Sequence, residues 1–253
     1  MSAALRKTLR TLAVVLFWLL IWQLAAALAG QELLLPSPLR VARELIRLAG
    51  GAEFWLTVAQ SIRRVLTGIA SAVLLGILLA LLTHKSAVLR ALLSPVMTLV
   101  KSTPVASFII LALVWLGRDV VPPVIAALMV LPVVWANVSQ GLDGIDPQLL
   151  ELAQVFRLPR GRVFRRITLP SVLPHLRAAL CSALGLGWKA GVAAEILTVP
   201  ARSIGKRIYE AKIYLETTEL FAWTAAVVLL SLVIERLLLR LVGRIGKKGG
   251  AHA

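Results

Sequence analysis

Acidic residues are scarce in this 253-residue chain: 12 aspartates and glutamates stand against 28 lysines and arginines, giving a formal net charge of +16. Such a balance can mark a nucleic-acid surface. Here the basic residues lie between long apolar runs rather than on one polar face, which argues against nucleic acid. There is one cysteine, Cys181, so neither an internal disulfide nor a cysteine-rich metal site can form. It falls within an apolar run and reads as a small packing residue. The three histidines, His84, His175 and His252, lie between apolar runs or in the tail. No serine–histidine pair, histidine cluster or carboxylate pair falls inside those runs, which argues against an embedded enzyme. A G-x-x-x-x-G-K-[ST] phosphate loop is also missing.

What the chain has is apolar length. Hydrophobic residues make up 59% of it and its mean hydropathy is +0.87, whereas about half is usual for a soluble domain. A membrane-spanning helix needs about 20 mostly apolar residues. Six stretches meet that length: 11–29, 65–83, 93–116, 120–140, 176–196 and 219–242. The fold class expected is therefore all-α, a polytopic membrane protein in one domain. Arg6, Lys7 and Arg10 before the first run resemble a signal-peptide flank, but the run can span and no small-residue cleavage site follows, so it reads as an uncleaved first helix.

Lysine and arginine gather where the chain stays in the cytoplasm. With a cytoplasmic N-terminus, the inside segments hold Arg6, Lys7 and Arg10, then Lys85 and Arg90, then the arginines from Arg157 to Arg177, then Arg236 to Lys248. The outside segments are poorer in basic residues and richer in acids. Both termini and the loop 141–175 are expected inside.

Between the first two spans, residues 33–65 are too polar to cross. Pro36 and Pro38 break the chain, and Val41, Leu45 and Leu48 predict an interfacial amphipathic helix. In the second span Gly68, Ala72 and Gly76 form a small-residue row that admits a neighbouring helix. Pro95, Pro104, Pro122, Pro123 and Pro132 interrupt the third and fourth spans and predict kinks or helix starts there. Two lysines lie within spans, where a charge costs roughly 3 kcal/mol on insertion scales. Lys101 sits early in its span, within reach of the cytoplasmic surface. Lys189 is nearer mid-span, beside Trp188, and Glu195 six residues on is badly spaced for a same-face pair. Lys189 therefore reads either as an anion-attracting group or as half of a structural pair. Lys101, Pro104, Trp188, Lys189 and Glu195 are the candidate translocation residues. After the fifth span, an amphipathic helix is expected over 204–215, and Arg244, Lys247 and Lys248 read as a cytoplasmic anchor.

The one long polar stretch is 146–170. Asp146 can cap a helix whose first turn accepts Pro147. Leu149, Leu152, Ala153 and Phe156 then form an apolar stripe opposite Gln148 and Glu151. A second helix starts near Pro159, carries Arg160, Arg162, Arg165 and Arg166, and is expected to end at Leu169–Pro170. Charge alone would make this a topology-setting flank. The order of residues says more: Glu151-Leu152-Ala153, with Arg157 beyond, Ile167 sixteen positions past Glu151, then Leu169-Pro170.

That order resembles the E-A-A, three residues, G, nine residues, I-x-L-P loop of ABC importer permeases. Leu152 replaces the second residue of the pattern and Arg157 its glycine, so the turn after the first helix is the point to compare with the family. Lys101-Ser102-Thr103-Pro104-Val105-Ala106, Leu131-Pro132 through Asn137 and Gly141, Ala193-Ala194-Glu195 and Ser203-Ile204-Gly205 come in the same order as in the nitrate/sulfonate/taurine branch. The resemblance covers most of the chain. It implies a type I importer permease fold, multi-pass in a bacterial cytoplasmic membrane and commonly homodimeric. Two ATPase subunits and an extracytoplasmic solute-binding protein would be its partners. The chain would bind no cofactor, with ATP used by the partner ATPase. The helix holding Asp146, Glu151, Leu152 and Ala153 would be the coupling helix, and the solute a sulfonate, taurine, nitrate or a vitamin precursor. The rival expectation is a secondary transporter or channel needing no ATPase, although no internal repeat and few intramembrane acids favour it.

Overall fold

A computed structural model describes residues 3–247. The side chains of Arg244 and Lys247, and residues Lys248 and His252, fall outside the described part. Described residues form helices α1 (Ala3–Ala29), α2 (Pro38–Ala49), α3 (Ala52–Lys85), α4 (Ala87–Ser102), α5 (Val105–Trp115) and α6 (Val121–Asp143). They continue through α7 (Pro147–Val155), α8 (Arg160–Val163), α9 (Leu169–Thr198), α10 (Ile204–Ile213) and α11 (Thr217–Lys247). Five helices are long and apolar enough to cross a membrane, or six if the bent pair α4–α5 counts as one.

Helices α3, α6 and α9 make the centre, and small residues let them approach. A Cβ on Gly68 would overlap the carbonyl of Pro123, and one on Gly76 would lie 2.9 Å from Val134. From α9, Gly187 faces Ile69 and Val130, and Gly191 faces Val65. Val65, Ala72, Val130, Val134, Ala179 and Ala183 fill the space between them and are fully buried. Between helices in lipid, such close van der Waals packing replaces the hydrophobic drive. The row Gly68–Ala72–Gly76 is buried as its spacing predicts. Helix α1 lies at the edge, largely exposed, and reaches α11 through Trp22 and Phe221, whose rings are 6.0 Å apart.

The amphipathic α2 forms where expected. The Ser37 side chain caps it, Pro38 occupies its first turn, Val41 is buried and Leu45 and Leu48 pack on the core.

Three expected spans need correction. The second was expected over 65–83, yet α3 begins at Ala52, so part of the polar segment assigned outside the span is continuous with it. Its polar turn is helical and half-buried because Ser61 and Arg64 find partners inside the protein. The third, expected over 93–116 with a kink or helix start at Pro104, begins earlier, at Ala87, and bends by 106° between two helices at Thr103–Pro104, as that proline predicts. Pro104 has no N–H to continue α4 and holds Thr103 extended, at φ −84 and ψ 134. Pro95, Pro132 and Pro174 lie inside helices without ending them. The fifth, expected over 176–196, runs without a break from Arg160 to Thr198. Leu169–Pro170 does not end the arginine-bearing helix. Instead Phe164–Thr168 widens into a π turn, in which the Leu169 amide donates to the Phe164 carbonyl, five residues back.

A coupling surface and the candidate translocation residues

Asp146 caps α7 as its sequence predicts, its Oδ1 accepting from the Gln148 amide at 2.9 Å, with Pro147 in the first turn. The stripe divides on folding. Ala153 turns inward and is 5% exposed, while Leu149, Leu152, Val155 and Phe156 stand 43%, 50%, 78% and 70% exposed. Glu151 is exposed beside them. On a nine-residue helix that is an apolar surface that no described residue of the chain covers.

The turn after α7 answers the question that Arg157 poses. Arg157 adopts φ +48, the left-handed region that favours glycine. The Arg157 amide donates to Gln154 O at 2.9 Å and the Leu158 amide to Ala153 O at 2.9 Å. Those are the two bonds of a Schellman cap, so the arginine keeps the backbone course a glycine would take. Ile167 is half-buried beyond it, its carbonyl accepting from Ser171 Oγ at 2.8 Å, while Leu169 and Pro170 are exposed at the start of α9.

Both ends of this loop are braced. At the end of α6, both Asp143 oxygens accept from Arg90 Nη2, at 2.9 and 2.8 Å, and His84 Nδ1 lies 3.2 Å from Oδ1. Those partners join the corner between α3 and α4 to the residue three places before the α7 cap. At the other end, α8, the π turn and α9 form one helical rod.

The five candidate translocation residues divide in two. Lys101 and Pro104 are exposed at the α4–α5 bend, and Lys189 is exposed on α9. Trp188 is 2% exposed and its Nε1 donates to Val227 O of α11 at 3.3 Å, so it faces into the fold. Glu195 is fully buried. It accepts from Ser61 Oγ at 2.8 Å, Arg64 Nη1 at 2.9 Å and the Gly205 amide at 3.3 Å. Arg64 reaches on with Nη2 to Asp119 Oδ1 at 3.0 Å and to Ala201 O at 3.2 Å. The Ile204 amide donates to Ser61 Oγ at 2.9 Å. One carboxylate thus ties α3, α9, α10 and the α5–α6 corner together.

Lys189 and Glu195 do not pair with each other: Glu195 is held by Ser61 and Arg64, more than 130 residues distant and not named from the sequence, while Lys189 makes no hydrogen bond or ion pair among the described residues. The usable signal was the lone acid itself, since an isolated carboxylate in an apolar run needs a buried donor. The Asp143 brace was missed as well. Among the described residues, no group of three histidines, cysteines or carboxylates could hold a metal ion.

Comparison with known proteins follows this architecture. A taurine transport system permease protein of Escherichia coli (strain K12) is 26% identical over 243 residues, covering 93% of this chain and 86% of that one. A bicarbonate transport system permease protein of Synechocystis sp. (strain ATCC 27184 / PCC 6803 / Kazusa) is 30% identical over 210 residues, covering 78% and 74%. In the crystal structure of a bacterial alginate ABC transporter in complex with an alginate pentasaccharide-bound periplasmic protein, one chain matches with a TM-score of 0.57 at 17% identity. That match covers 96% of this chain and 94% of that one, and it shows a shared fold. The binding-protein-dependent transport system inner membrane component family matches residues 72–248. This chain belongs to that family and is a membrane-spanning permease subunit of an ABC importer, a transport subunit rather than an enzyme.

Proposed function

We propose that this permease passes a small oxyanion or zwitterion of the taurine, sulfonate, nitrate or bicarbonate kind, driven by ATPase subunits docked on α7. The observation that carries the reading is the bare apolar face of Leu149, Leu152, Val155 and Phe156, held on a braced loop. A rigid-body push there would pass through Asp143 to the α3–α4 corner and through the rod α8–α9 into the bundle. Basic flanks put α7 on the cytoplasmic side of a bacterial inner membrane and α2 and α10 on the other, facing a solute-binding protein.

The exposure of Lys189 and Lys101 supports a homodimer carrying two ATPase subunits. A lysine facing lipid within a span costs roughly 3 kcal/mol, and a second copy laid against these faces would enclose both lysines in an aqueous path. The solute class rests on the relatives named for taurine and bicarbonate and on the cationic character of those faces.

The test is reconstitution in proteoliposomes with the cognate ATPase and binding protein. Uptake of radiolabelled taurine, ethanesulfonate, nitrate or bicarbonate should require ATP and the ATPase. Uptake that persists without the ATPase would favour a secondary transporter, and transport of none of the four solutes would overturn the solute class.

A further inference from the structure

A cavity of about 540 Å³ opens at the end of the bundle opposite α7, between the end of α5 and the end of α9. Leu113, Leu116, Leu197 and Val199 contribute its apolar wall; Arg118, Thr198 and Tyr209 contribute its polar groups. No carboxylate lines it. Among the described residues, neither the Arg118 guanidinium nor the Tyr209 hydroxyl takes part in a hydrogen bond or an ion pair. The neighbouring acid, Asp119, turns its Oδ1 to Arg64 at 3.0 Å and makes no ion pair with Arg118. The cavity therefore carries one uncompensated cation and one free hydroxyl donor in a lining that is more polar than apolar. That combination attracts a small anion and repels a cation.

The cavity also connects to a face already described. Leu186, Lys189, Ala193 and Leu197 recur at three, four and four residues, so they lie on one stripe of α9. Leu186 and Leu197 are 42% and 49% exposed, and Lys189 is exposed between them. At 1.5 Å per residue, Lys189 sits about 12 Å deeper than the cavity wall at Leu197.

We infer that this cavity is the outer receiving site for the transported anion, with Arg118 as its charge and Lys189 as the next cationic station along the same face of α9. The inference rests on the anion reading and the orientation proposed above. Arg118 first draws the oxyanion from the binding protein, with Tyr209 offering its hydroxyl to an oxygen. Lys189 then competes for the same charge from below. Neither cation has a fixed internal partner that would have to be displaced.

The test does not require knowledge of the natural solute. In a Cys181→Ser background, Leu197→Cys places a thiol on the cavity wall. The permease–ATPase complex in phosphatidylcholine nanodiscs is treated with two methanethiosulfonates, one bearing an ethylsulfonate and one an ethyltrimethylammonium group. Rates are normalised to Leu34→Cys, an exposed position outside the cavity. Modification of Leu197→Cys should favour the sulfonate reagent by roughly tenfold, as charge focusing in a cleft implies. Arg118→Gln should bring that ratio close to one, and Arg118→Lys should preserve it. An unchanged ratio in Arg118→Gln overturns the assignment. In phosphatidylglycerol nanodiscs the normalised preference should persist; its loss there would mean that Arg118 holds a lipid phosphate, which also overturns it. If the preference holds while none of the four solutes is taken up, the receiving site stands and the solute class falls. Uptake of an anion without the preference gives the reverse.

Discussion

Arg64 and Glu195 pair at 2.9 Å inside the bundle, the carboxylate wholly buried and the guanidinium reaching out to Asp119. Each charge depends on the other for its place in a medium where neither is well solvated. Removing one partner of such a pair commonly costs about 3–5 kcal/mol, mostly from the charge left behind. Arg64→Met should therefore lower the melting temperature of the detergent-solubilised permease sharply. Arg64→Met combined with Glu195→Gln should recover at least half of the loss, because the neutral amide still accepts from Ser61 and Gly205. Equal melting of Arg64→Met and the parent protein would refute the role given to the pair.

This pair also marks the limit of what the sequence displayed. The apolar character of the spans, the small-residue row on α3, the cap at Asp146 and the amphipathic α2 and α7 are local patterns, and these formed where their residues predicted. Where long-range partners decide, the pattern misled. Residues 52–64 look too polar for a span, yet Ser61 and Arg64 are helical and find their partners on distant segments, Glu195 of α9 first among them. Leu169–Pro170 looks like a stop, yet a π turn carries the helix past it. The α7 stripe was visible as amphipathic, but that only Ala153 would turn inward depends on how α6 and α9 present the loop.

Close approach of α3 to α6 predicts a second outcome. A Cβ at Gly68 would overlap the backbone carbonyl of Pro123, which cannot rotate away as a side-chain end could. Gly68→Ala should separate the two helices and cost about 1–3 kcal/mol, the usual range for overpacking. Gly161 has nothing within 4 Å of its would-be Cβ, so Gly161→Ala should be nearly neutral. Thermal unfolding of the two variants side by side decides this; similar losses for both would contradict the packing argument.

Arg157 makes the third prediction. Its φ of +48 carries the steric cost of an L side chain in the left-handed region, roughly 1–2 kcal/mol. Arg157→Gly should relieve that cost, offset in part by the greater freedom of glycine in the unfolded chain, and leave the Schellman bonds in place. The loop should become slightly more resistant to limited proteolysis, with ATP-dependent uptake retained. Arg157→Val should do the opposite, because a branched Cβ tolerates this region worst. Faster cleavage in Arg157→Gly than in the parent protein would count against the cap.

The last prediction separates the outer and inner faces of α7. Leu152 is half exposed and Ala153 nearly buried, although they are neighbours and both belong to the sequence motif. A carboxylate at Leu152 meets water in the isolated permease but would be desolvated beneath an ATPase. Leu152→Asp should thus leave melting within about 0.5 kcal/mol of the parent, as is usual for exposed sites, while ATPase subunits no longer co-purify and ATP-dependent uptake is lost. Glu151→Lys should act in the same direction more weakly, since the charge stays at the rim of the contact. Ala153→Leu should instead lower melting of the permease alone, by about 1–3 kcal/mol, because Ala153 is buried and the added carbons must displace what packs on it. Measuring melting and ATPase co-purification for all three gives a pattern that a merely solvated loop would not produce. Retained ATPase binding and uptake in Leu152→Asp would show that the exposed face of α7 is not where the chain is driven.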